Sequence, residues 1–109
     1  MLHHVEIYVS DLARSEGFWK PLLAALGYHE HQRWPAGVSY RLGPTYLVFV
    51  QVEERFREPR YHRCRVGLNH LAFHVASRVE VDRLTRMLRA GGAALLYPDR
   101  HPYAGGAGT

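Results

Sequence analysis

The chain has 109 residues, enough for one compact domain with a core of its own and too few for several. Hydrophobic residues make up 47% and charged residues 22%, which excludes a disordered or low-complexity chain. The net charge of +4 raises nucleic acid as a partner. The basic run "RFREPRYHRCR" is, however, accompanied by Glu53, Glu54 and Glu58 and by no nucleic-acid motif, so a solvated connector with no nucleic-acid partner is the expectation.

The opening "MLHHVEIYV" lacks the basic and apolar regions of a secretory signal. The longest apolar run, 46–50, is far too short to cross a bilayer. Cys64 is the only cysteine, so no internal disulfide can form. These features point to a cytoplasmic protein with no membrane partner.

In chain order, "HHVEIYVSDL" comes first. Val5, Ile7 and Val9 alternate with His4, Glu6 and Tyr8, which is the period of a strand with one apolar and one polar face. Ser15, Phe18, Trp19, Leu22 and Leu26 follow at helical spacing, and Gly27 closes the pattern. Pro21 removes the bond to the Gly17 carbonyl, so a kink or a restart of the helix is expected there. Three short β patterns follow, at 28–34, 38–42 and 45–52, punctuated by "PAG" and "GPT". The order is βαβββ.

The second half begins in the same way. With His70 aligned on His4, Leu71, Phe73 and Val75 meet Val5, Ile7 and Val9. His70, Ala72 and His74 then share the other face. Val81, Leu84 and Leu88 follow at helical spacing, Gly91-Gly92 stops them, and a further β pattern lies at 94–97. The turn-rich "HPYAGGAGT" stands where two more strands are due. The expected organisation is one domain: a first module over about 1–57, a linker over about 58–66, and an incomplete second module over about 67–109.

The repeat favours a strand for "LNHLAFHV". On a helix, His70 and His74 would also share a face, as in zinc peptidases, but that motif needs a glutamate after the first histidine and Leu71 stands there. A sheet face carrying His4, Glu6, Tyr8, His70 and His74 suits a cleft better than a dry core. Other candidates carry less. Ser39 in "GVSYRLG" lacks the nucleophile elbow. Cys64 has only His62 near it in sequence, and His29 and His31 read as solvated. His3 is expected to face away from the cleft. Tyr97, His101 and Tyr103 lie in a loop that either caps the cleft or is a tail.

"HHVEIYVSDLARSEGFWKPLLAALGY" resembles the start of the vicinal oxygen chelate superfamily, which includes glyoxalase I, extradiol dioxygenases and bleomycin-resistance proteins. His4, Asp11, Leu12, Ser15, Phe18 and Trp19 match its opening signature, and "GLNHLAFHV" resembles its mid-chain metal strand. The resemblance implies an α+β fold of tandem βαβββ modules, forming a U-shaped, partly open mixed sheet with helices outside. It implies a divalent metal (Fe, Zn, Ni, Mn or Co) held by His4 and His70 and by a carboxylate from a last strand that is absent here. A fourth ligand in some members falls at about Phe49, which cannot ligate, with Gln51 the nearest polar residue.

The implied function is that of a glyoxalase- or dioxygenase-like metalloprotein, a lyase or dioxygenase acting on a small molecule with vicinal oxygens. His74 and Tyr8 are the candidate catalytic groups, and Glu6, Phe49 and Gln51 the candidate substrate contacts. The alternative is a metal-free small-molecule binder of the bleomycin-resistance type, with Trp19, Trp34, Tyr40 and Phe49 supplying stacking surface. The unfinished second sheet also predicts a homodimer.

Overall fold

The computed structural model describes residues 1–94. β1 (His4–Val9) leads through Ser10 and Asp11 into α1 (Leu12–Ala25). Asp11 caps the helix: its backbone is extended and its carboxylate accepts from the Arg14 N–H at 3.1 Å. Gly27, at φ +97°, carries the chain away from the helix end. The restart expected at Pro21 is absent, and α1 is one helix from Leu12 to Ala25. Pro21 and Gly17 are both exposed, so the carbonyl that loses its partner faces water rather than the core.

β2 (His29–Trp34), β3 (Gly37–Leu42) and β4 (Thr45–Gln51) form an antiparallel meander. β1 then pairs parallel with β4, giving the order β1-β4-β3-β2. The register shifts between Glu30 and Gln32, and the Ser39 hydroxyl accepts the displaced Gln32 N–H at 3.1 Å. The buried Ser39 therefore has a polar partner where the ladder is interrupted.

Apolar residues on the α1 side of the sheet build the core. Leu23 of α1 is buried with Val38, Tyr40, Leu47 and Phe49. Trp19 stacks on Phe49 with ring centroids 5.2 Å apart. Burying each large side chain contributes about 1.5–3 kcal/mol, so this cluster holds α1 to the sheet. At the far edge, Arg33 of β2 pairs with Glu16 of α1 and with Glu30. The module is α+β, an open mixed sheet with its helix on one side.

The chain divides between Ala72 and Phe73 into two compact units. Residues 58–72 thus belong with the first module. The second unit contains α2 (Arg78–Ala90), capped by the Ser77 hydroxyl, which accepts from the Glu80 N–H at 3.3 Å. Leu84 is its buried residue, and Gly92 at φ +90° ends the turn that follows. Residues 68–75 are not a strand, although 71–75 alternate half-buried and exposed as the sequence predicts. Periodicity fixes which side chains face together; a strand also requires a neighbouring edge to pair with. The β pattern at 94–97 and the "HPYAGGAGT" loop with His101 and Tyr103 fall, Ala94 apart, outside the described residues. Among the described residues, no helix is long and apolar enough to cross a membrane.

Candidate functional site

The β1–β4 register decides which side chains can act together. His4 lies opposite Tyr46, Glu6 opposite Val48, and Tyr8 opposite Val50. His4, Glu6 and Tyr8 are all exposed, whereas Val5, Ile7 and Val9 are half-buried on the α1 side. The polar face of β1 therefore looks away from α1, as its alternation predicts.

Around His4 the structure assembles more rings than the sequence suggests. The His4 imidazole stacks on Tyr46, with centroids 4.8 Å apart and an interplanar angle of 4°. His3 is not turned away: its Nδ1 lies 2.8 Å from Nδ1 of His4, and its ring meets Tyr46 edge-on. His31 approaches Tyr46 at 5.9 Å. Tyr46 carries no sequence signal as a site residue, because pairing β1 with a strand so far along the chain cannot be counted from the sequence.

His70 is exposed, and its Nδ1 lies 2.7 Å from the Asn69 side-chain oxygen. His74 is exposed in the second unit. Phe49 and Gln51 do not join His4. They lie opposite Ile7 and Val9, on the α1 side of the sheet. Phe49 is 1% exposed. The Gln51 amide is committed to backbone: its oxygen accepts from Leu12 N–H at 2.8 Å and its nitrogen donates to the Ser10 carbonyl at 2.8 Å.

Two clefts border this region of the first unit. One, of about 520 Å³, is walled by Ile7, Trp19, Phe49, Leu68 and Leu71, with Arg60, His62 and Arg65 among its polar lining. The other, of about 630 Å³, runs past the start of α1 and includes Asp11, Arg14, Ser15 and Arg57. Tyr8 lines both. Trp34 takes part in neither; it lies against Gly37. Tyr40 is buried, and desolvation raises its phenol above the ordinary value, with the charges of Glu16 and Glu30 adding to the shift.

The model of the Glyoxalase/Bleomycin resistance protein/Dioxygenase superfamily matches residues 1–109. The chain belongs to that superfamily. YqjT of Bacillus subtilis (strain 168) is 56% identical to it over 107 residues, covering 98% of this chain and 84% of that protein. The crystal structure of a glyoxalase-like protein from Bacillus halodurans is 59% identical, with a TM-score of 0.95 over 98% of this chain and 80% of that one. Lactoylglutathione lyase from Agrobacterium tumefaciens shares 20% identity and a TM-score of 0.59 over 86% of this chain and 72% of that one, a likeness of fold alone.

Superfamily members often bind a divalent metal. His4 and His70 fit such an ion in donor type, since each is exposed and each has Nδ1 engaged by a neighbour. They do not make a closed centre by themselves: among the described residues no three His, Cys, Asp or Glu side chains converge as a metal site.

Proposed function

We propose that this superfamily member is a glyoxalase- or dioxygenase-like metalloprotein acting on a small molecule with two adjacent oxygens. The reading rests on one observation: His4, Glu6 and Tyr8 stand exposed in a row on the sheet face that α1 leaves uncovered. His4 and His70 would supply two imidazole donors, and the family resemblance implies a carboxylate as the third ligand. The chemistry that a divalent ion held there would supply is Lewis-acid polarisation of the substrate oxygens.

The chain's own groups do the rest. The Tyr8 hydroxyl, on a side chain 62% exposed, donates a hydrogen bond to a substrate oxygen. The Glu6 carboxylate accepts from a substrate hydroxyl and sets its orientation. Phe49 and Gln51 have no part in this reading, because both face α1.

The test is a titration of metal-depleted protein with zinc, nickel, cobalt, manganese and iron(II). Stoichiometric binding is expected, with affinity lowered in His4→Ala and in His70→Ala. Absence of stoichiometric binding, together with a His4→Ala protein indistinguishable from wild type, removes the proposal.

A second reading, metal-free sequestration of a small molecule, draws on the apolar cleft bounded by Trp19 and Phe49. Its volume falls within the range of small-molecule sites. Arg60 and Arg65 in its lining favour an anionic amphiphile over a cationic drug. Unchanged ligand affinity after metal removal, with loss in Trp19→Ala, selects this reading.

A further inference from the structure

We infer that Asn69 is a positioning residue that fixes the His70 imidazole as the tautomer protonated at Nδ1, leaving the lone pair on Nε2. The inference rests on the reading above only in naming His70 as a metal donor. Its physical basis is a relay of four contacts within residues 61–70.

The relay begins at the backbone. The Tyr61 hydroxyl lies 2.8 Å from the Leu68 carbonyl oxygen and 3.1 Å from that of Asn69, and as a single donor it ties both to one ring. The Asn69 side-chain nitrogen donates to the Arg63 carbonyl at 2.9 Å. That contact decides which way the amide points: with the amide reversed, two oxygens would face each other. The Asn69 oxygen is thereby turned to His70 Nδ1 at 2.7 Å.

An amide oxygen can only accept, so the imidazole nitrogen facing it must carry the proton. The other tautomer would set a nitrogen lone pair against oxygen lone pairs. An unconstrained neutral histidine prefers its proton on Nε2, so Asn69 imposes the less favoured form. That form is the one in which Nε2 can bind a metal ion or accept a proton. A ligating histidine is commonly held in this way through its other ring nitrogen.

Nitrogen-15 correlation spectra of the full chain, recorded without metal at a pH where His70 is neutral, give a direct readout. Wild type is expected to show the Nδ1–H form. Asn69→Ala, which removes the accepting oxygen, is expected to shift the population to Nε2–H. An Nε2–H ring in wild type, or an unchanged tautomer in Asn69→Ala, overturns the inference.

Zinc affinity is the second readout. Asn69→Ala is expected to lose about 10- to 100-fold. Unaltered zinc affinity in Asn69→Ala overturns the positioning role. A wild-type protein that shows the Nδ1–H tautomer but binds no metal refutes the proposed function and leaves the tautomer assignment standing.

Discussion

Gln51 clamps Leu12. The side-chain oxygen of the last β4 residue accepts the Leu12 N–H at 2.8 Å, while its nitrogen holds the Ser10 carbonyl at 2.8 Å. One amide thus satisfies an otherwise unpaired donor in the first turn of α1 and fixes the chain that leads into it. Gln51→Ala should cost about 1–3 kcal/mol, the net worth of two such bonds. Urea denaturation would show a lower midpoint with the slope preserved. An unchanged midpoint would mean the amide is free to serve a ligand.

Gly37 leaves no room for a side chain. A Cβ there would run into the Trp34 ring and lie 2.9 Å from the Phe49 carbonyl oxygen. The ring can swing aside; the backbone oxygen cannot. Gly37→Ala should therefore destabilise by about 1–3 kcal/mol, as overpacking does. It should also change the tryptophan emission. Unaltered stability and fluorescence would show that β3 yields at this point.

Tyr40 is 2% exposed, and its hydroxyl has no hydrogen-bond partner among the described residues. Burying an unpaired hydroxyl is unfavourable, so Tyr40→Phe should be neutral or stabilise by up to about 1–3 kcal/mol. The phenol also predicts a pH effect. Its folded value is raised above the ordinary 10.0, chiefly by burial. The stability linked to this shift is full below the unfolded value and is lost as pH rises through the folded one. The difference between wild type and Tyr40→Phe should therefore grow in the variant's favour above about pH 10, measured by denaturation at several alkaline pH values. A difference that stays constant across that range would refute the assignment.

β1 is the last strand on its side of the sheet, with β4 as its one neighbour among the described residues. Such an edge invites a further strand. We expect the protein to be a homodimer in solution, and sedimentation equilibrium measures this. A stable monomer at micromolar concentration would refute it.

The first module was legible in the sequence because each of its signals is local. The alternation from His4 to Val9 predicts the faces that the structure shows. The β patterns at 28–34, 38–42 and 45–52 fall within a residue of β2, β3 and β4. What stayed hidden depends on partners distant in sequence. Position in the strand alone predicts a place near the site for Phe49 and Gln51, and only the β1–β4 register shows that they face α1. Tyr46 stacks beneath His4 for the same reason. Pro21 looked disruptive because sequence does not show that its side of the helix is wet. The strand that the repeat predicts at 68–75 is not formed, and residues 71–75 keep only an alternation of half-buried and exposed positions.

The parallel pairing of β1 with β4 has a consequence for how the protein is made. The β2–β3–β4 meander can zip up through short hairpins, each joining neighbours in sequence. His4 reaches its place beside Tyr46 only when the ends of the long intervening segment meet. During refolding, the imidazole at position 4 should therefore be the late arrival, and any ion-binding capacity that depends on it should lag behind the appearance of β structure.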